Sequence, residues 1–164
     1  MKRNKFRQYS LFYCILLPVL IGDQLTKFFA DMWLVGRTVT IWPKYIFLSY
    51  SQNSGAAWSL FQGNALLLGF IGILVLAIMF FSRKHLNIKR CPNQVAYGMI
   101  CAGIAGNVID RLSYGHVIDF IDIRLGNFCW PTFNIADAAI CCGFLCIFYL
   151  LFSENRRKLK AMFY

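Results

Sequence analysis

Seventeen consecutive residues, Ala65 to Phe81, carry no charge. A helix needs about 20 mostly apolar residues to cross the hydrocarbon core of a bilayer. Three more stretches come close to that length. Tyr9 to Phe29 includes twelve uncharged residues, Leu11 to Gly22, before Asp23. A run from Val95, opened by Pro92, ends at Asp110-Arg111. Ile135 to Phe152 holds a single charge, Asp137, in its first turn. The pattern predicts an integral membrane protein, mainly α, with four transmembrane helices. Composition agrees: 59% of residues are hydrophobic and 15% charged, against roughly 45–50% and about 25% in a soluble domain. A soluble enzyme, a disordered chain and a collagen-like chain are excluded.

Seventeen Lys and Arg against seven Asp and Glu give a formal charge of +10. Nucleic-acid binding would require those cations on one polar surface. Twelve of them instead form three clusters bordering apolar runs: Lys2, Arg3, Lys5, Arg7; Arg83, Lys84, Lys89, Arg90; and Arg156, Arg157, Lys158, Lys160. With four spans, all three clusters fall on one side, and the positive-inside tendency makes it cytoplasmic, both termini included. No nucleic-acid partner is expected. A basic N-terminus before a short apolar core also suits a cleaved secretory signal, but no A-x-A-like site follows, so the first stretch is expected to be a retained helix.

The connections Asp31–Asn64 and Leu112–Asn134 then face outward. Thr38 to Tyr50 is rich in β-branched and aromatic residues, and His116 to Arg124 mixes apolar and acidic positions. Together they predict a small extracytoplasmic β-element, with Trp42 and Trp58 as interface anchors. Seven cysteines lie mostly inside apolar runs without zinc spacing, so they are expected to pack as small apolar residues rather than form a disulfide framework or hold a metal.

Acids are scarce, and all but Glu154 lie in or beside the outward half. Ionisable groups near the hydrocarbon are costly and therefore functional candidates. Asp119, in Val117-Ile118-Asp119-Phe120, and Asp137, in Phe133-Asn134-Ile135-Ala136-Asp137, are far enough apart in sequence for a strand to turn back and bring them together. Two carboxylates sharing a site hold one proton between them, so one can activate a water while the other donates to an amide. Simpler readings stay open. Asn134-x-x-Asp137 also fits a helix-capping arrangement, Asp119 also fits a solvated loop, and Asp122 competes with it but is expected on the opposite strand face.

Gly98, Ala102 and Gly106 form a stripe that admits a close helix neighbour. Asn107 and Arg111 share a helix face. They read either as a polar rim for a substrate backbone or, for Arg111, as a snorkelling cation paired with Asp110. Asp23 and Lys27, at i and i+4, favour a structural ion pair. Zinc-protease and serine-hydrolase motifs are absent, and His85 and His116 read as an interfacial cation and a loop residue.

Five blocks in order carry a resemblance: Asp23-Gln24-Leu25-Thr26-Lys27; Asn53-Ser54-Gly55-Ala56-Ala57-Trp58-Ser59; Gly106-Asn107-Val108-Ile109-Asp110-Arg111; Val117-Ile118-Asp119-Phe120; and Phe133-Asn134-Ile135-Ala136-Asp137. The chain resembles the lipoprotein signal peptidases, or signal peptidase II family. The resemblance implies one peptidase domain over residues 1–164 and a metal-free, cofactor-free aspartic endopeptidase of the bacterial cytoplasmic membrane, sensitive to globomycin. It implies cleavage of prolipoproteins just before a diacylglyceryl-modified cysteine, with membrane lipids as the other partner and a monomeric state. By the same likeness Asp119 and Asp137 are catalytic, and Asn53, Asn107, Arg111 and Asn134 line the substrate site. Asp23, Lys27, Asp110 and Gly55 support it. Residues around Gly55-Ala56-Ala57-Trp58 are expected to roof the site and move on binding. Two competing classes remain at this point: an ion- or proton-coupled transporter using the same acids as a relay, and a non-catalytic membrane scaffold.

Overall fold

The computed structural model describes residues 9–56, 60–83 and 90–163. The basic residues Lys2, Arg3, Lys5, Arg7, Lys84 and Lys89, together with His85, Ala57 and Trp58, lie outside the described residues. Four long helices and four strands follow the chain as α1 (Ser10–Leu34), β1 (Thr38–Trp42), β2 (Ile46–Asn53), α2 (Ala65–Ser82), α3 (Cys91–Tyr114), β3 (Val117–Leu125), β4 (Phe128–Cys129) and α4 (Ile135–Phe163). Helices α1, α2 and α4 are long and apolar enough to cross a membrane.

The third helix differs because it is the inner one. It packs against each of the other three, so its sides face helices rather than lipid and need not be uniformly apolar. Its small residues explain the closeness. A Cβ at Gly98 would meet Ile15 and the Phe12 carbonyl of α1, one at Gly106 would strike the Asp23 carboxylate, and one at Gly103 would strike the Ala136 carbonyl of α4. The expected small-residue stripe thus faces α1, and a second line of contact faces α4. The α3 helix starts at Cys91, earlier than the apolar pattern suggests, because Pro92 suits a helix's first turn. It ends at Gly115, whose φ of 74° is left-handed and whose N–H reaches the Arg111 carbonyl at 3.2 Å.

The outer helices expose their apolar faces. On α2 only Ala65 and Gly69 are buried, while Phe70, Leu74, Ile78 and Phe81 point outward. Cys14, Cys141 and Cys142 are exposed as well. The reading of the span cysteines as packing residues fails for these three, because a lipid-facing helix surface is as apolar as its core and admits a thiol on either side. All seven cysteines are free.

The strands form one antiparallel sheet in the order β1-β2-β3-β4. Asn53 pairs with Val117 and Ser51 with Asp119. On the other side of β3, Ile121 forms an isolated bridge to Phe133, with N–H···O distances of 2.9 and 3.1 Å. That bridge lays the segment leading into α4 alongside β3. Ala30 and Leu34 of α1 pack with Ile118 and Phe120 into a small core beneath the sheet. The opposite end of the bundle carries the basic residues: Arg90, just before α3, pairs with Glu154 of α4 at 3.2 Å. The sheet and the described basic clusters therefore occupy opposite ends. Trp42 is exposed at the sheet end.

Candidate active site

The bridge between β3 and the start of α4 brings Asp119 and Asp137 to one place. Asn134 touches both. Its Nδ2 donates to Asp119 Oδ1 at 2.7 Å, and its backbone N–H donates to Asp137 Oδ2 at 3.2 Å. In return the Asp137 N–H donates to Asn134 Oδ1 at 2.9 Å. These reciprocal bonds are a capping box, so the simpler reading of Asn134 and Asp137 is present in the structure. It occupies only one carboxylate oxygen. The other, Oδ1, accepts the Asn107 Nδ2 at 2.8 Å. Asp119 Oδ2 accepts the Asn53 Nδ2 at 3.0 Å, a diagonal cross-strand contact set by the Ser51–Asp119 register. Each of the four carboxylate oxygens thus receives one N–H. Among the described residues neither aspartate forms a salt bridge.

Asp119 is 1% exposed. Burial above all, and then the neighbouring Asp137 carboxylate, raise its pKa, the N–H donors of Asn53 and Asn134 together with the Lys27 charge offset part of the rise, and the net value is about 7. Its neighbour Asp137 means that the two titrate as a unit.

Behind them lies a charged cluster. The Lys27 ammonium meets Asp23 Oδ2 at 2.8 Å, Asp110 Oδ2 at 2.8 Å and Asn107 Oδ1 at 2.9 Å. Asp23 Oδ1 accepts the Ala136 N–H at 2.8 Å, one of the unsatisfied donors in the first turn of α4. Asp110 Oδ2 also accepts the Ile118 N–H at 3.3 Å. The expected i,i+4 pair of Asp23 and Lys27 therefore forms but reaches further than one helix, tying α1 to α3, to α4 and to the start of β3.

Arg111 does not pair with Asp110 as a snorkelling cation. Its Nη2 donates to the Gly55 carbonyl at 2.8 Å, and its buried Nε has no partner among the described residues. Gly55 in turn donates its N–H to Asn53 Oδ1 at 3.0 Å, and a Cβ there would crowd the Leu60 carbonyl. Residues 53–55 are thus pinned between α3 and Asp119. Asp122 faces away from this site and pairs with Arg124.

All ten residues singled out from sequence lie in this one connected network. Gln24, to which the sequence pattern assigns no role, joins the network as well. Its Nε2 donates to Asp110 Oδ1 at 3.0 Å and to the Gly106 carbonyl at 3.3 Å. Its place beside Asp23, on a helix opposite the small-residue stripe, was the available signal. Tyr50 of β2 lies near the Asp31 carboxylate at the end of α1, a proximity with no local sequence signature. Among the described residues no group of three or more His, Cys, Asp or Glu side chains is arranged to hold a metal.

The fold defines a multi-pass membrane enzyme. It superposes with a TM-score of 0.82 on a bacterial membrane enzyme solved at 2.3 Å by the in meso method, at 30% identity over 91% of this chain and 92% of that one. The chain belongs to the signal peptidase II family, a family of peptidases: residues 15–153 match the family model for signal peptidase (SPase) II. It is similar to the lipoprotein signal peptidase of Gloeothece citriformis, 38% identical over 94% of this chain and 91% of the relative. That of Staphylococcus carnosus is 33% identical over 96% and 99%.

Proposed function

We propose that the chain is an aspartic endopeptidase that removes signal peptides from prolipoproteins, cutting before a diacylglyceryl-modified cysteine, and that the whole chain acts as one monomeric peptidase unit. One observation carries the mechanism: two carboxylates, Asp119 buried and Asp137 half-buried, meet across Asn134 at the sheet end of the bundle, each of their oxygens held by an N–H donor. Such a pair retains one proton at neutral pH. The ionised member removes a proton from a water, the oxygen attacks the scissile carbonyl, and the protonated member donates as the tetrahedral intermediate forms. Collapse then breaks the C–N bond: the member that took the water's proton gives it to the departing amine, while the other takes a proton back from a hydroxyl of the gem-diol as the new carboxyl group forms, which restores the singly protonated pair.

The basic end of the bundle, marked by Arg83, Arg90 and Arg156 to Lys158, is cytoplasmic in this reading, with both termini there. The sheet end then faces outward from the bacterial inner membrane. A substrate held by both its signal helix and its lipid would present its cleavage point at that depth. Positioning of this kind can supply up to about 7–11 kcal/mol of the barrier reduction. Asn53, Asn107, Arg111 and Asn134 line the pocket for the substrate backbone, and the segment that begins at Gly55-Ala56 acts as a roof that moves when the Arg111–Gly55 bond is released.

The test is a gel-shift cleavage assay on a diacylglyceryl-modified prolipoprotein with Asp119→Asn and Asp137→Asn. Both variants should fold and release no signal peptide. Cleavage at the wild-type rate by either would rule out the two-aspartate mechanism.

A further inference from the structure

Lys27 lies behind the site, 2% exposed, where no substrate can touch it. Its three N–H bonds are used on Asp23, Asp110 and Asn107. Two of these are ordinary ion pairs. The third carries information. An ammonium can only donate, so the Asn107 atom facing it must be the carbonyl oxygen, and the NH₂ must point the opposite way. The opposite way is Asp137 Oδ1, at 2.8 Å.

The same logic fixes the other two amides by backbone donors. The Asp137 N–H holds Asn134 Oδ1, so Asn134 Nδ2 faces Asp119. The Gly55 N–H holds Asn53 Oδ1, so Asn53 Nδ2 also faces Asp119. Asn107 alone depends on side chains for its orientation. Asn134 Nδ2 also approaches its oxygen, at 3.2 Å, but that donor is shared with Asp119 and the Ile118 carbonyl. The charged bond from Lys27, at 2.9 Å, is the stronger constraint.

We propose that Lys27 is a positioning residue for the cleavage reaction: by holding the Asn107 oxygen it turns the Asn107 NH₂ onto Asp137 and fixes that carboxylate for attack. This rests on the two-aspartate reading above. Without the ammonium the amide can rotate and set an oxygen against a carboxylate oxygen. Asp137 then turns away, and the water it orients moves with it. Misplacement of about 1 Å costs on the order of 100-fold in rate. Lys27 itself lies outside the pocket, so binding changes only as far as the turned Asn107 amide contributes to it, and the main loss falls on the chemical step.

The experiment is a double-mutant cycle of Lys27→Met and Asn107→Ala on the purified full chain in detergent, with kcat, KM and thermal unfolding measured for each variant on a diacylglyceryl-modified substrate peptide. Lys27→Met should lower kcat by about 100-fold and leave KM within about threefold. Added to Asn107→Ala it should cost less than about threefold more, since its effect travels through that amide. A folded Lys27→Met protein with wild-type kcat, or losses that multiply in the double variant, would overturn the assignment. Should Lys27→Met fail to fold because Asp23 and Asp110 are left unpaired, the triple variant Asp23→Asn, Lys27→Met, Asp110→Asn removes the buried charges together. The same fall in kcat at unchanged KM is expected there, and wild-type kcat would refute the role. Failure of the two-aspartate reading shows separately, as cleavage by Asp119→Asn or Asp137→Asn. Inactive aspartate variants beside an active Lys27 variant would sink only the positioning role.

Discussion

Two pairs of aspartates, all but Asp137 buried, sit side by side in this molecule and are built differently. Asp23 and Asp110 share an ammonium, Lys27, and their carboxylates also accept N–H groups of Ala136, Ile118 and Gln24. Asp119 and Asp137 share an asparagine and have no cation within salt-bridge distance among the described residues. The first pair joins four elements and is closed to substrate. In the proposed mechanism the second pair holds and passes a proton. On that proposal a carboxylate serves here as scaffold or reagent according to whether the donor placed between the pair carries a charge.

That contrast breaks most visibly under substitution. Replacing Asp137 with Asn keeps the shape and the capping bond to the Asn134 N–H, so the protein should fold while cleavage falls by about four orders of magnitude. A single-turnover assay on detergent-purified protein measures this. Replacing Asp23 with Ala should do the reverse. It leaves Lys27 one partner short and the Ala136 N–H bare, a loss of about 3–5 kcal/mol expected for breaking a buried pair. The variant should be scarce in membranes and unfold at markedly lower temperature, while any folded fraction retains kcat. If Asp23→Ala folds normally but is inactive, the two pairs are not divided as argued here.

Much of this was legible in the sequence, for reasons that can be named. The spans at Tyr9–Phe29, Ala65–Phe81 and Ile135–Phe152 follow from bilayer thickness, which leaves few alternatives to an uncharged run of that length. The strands were visible at Thr38–Tyr50 because β-branched and aromatic residues cluster there. Helix ends were less visible: α1 runs on through Asp31 to Leu34 and α4 through Glu154 to Phe163, where the chain has left the apolar band but keeps helical geometry. The ten candidate residues could be named from their ordered blocks, but not their connections. That Lys27 reaches Asn107, or that Asp23 caps the first turn of α4, depends on helices meeting across more than 75 residues of sequence. No local pattern encodes such contacts. Chemistry could still narrow them, since an ammonium buried by a small-residue stripe must find three acceptors.

The comparison sharpens further with pH. The folded protein holds the Asp119 proton up to about pH 7, whereas an unfolded chain releases it near about pH 4. Between those values the folded state binds more protons, so this group's contribution to stability is complete below about pH 4. It declines as pH rises and is gone above about pH 7. The singly protonated pair is lost over the upper part of that range, so cleavage should also fall as pH climbs past neutrality. Asp119→Asn removes the titration and the repulsion from Asp137 while keeping the shape. It should raise the unfolding temperature by a few degrees at about pH 8 and by less at about pH 5, a gain read by thermal unfolding of the detergent-purified protein across that range. If the variant tracks the wild type at every pH, Asp119 is not the group that holds the proton, and the distinction between the two aspartate pairs would have to be redrawn around Asp137 alone.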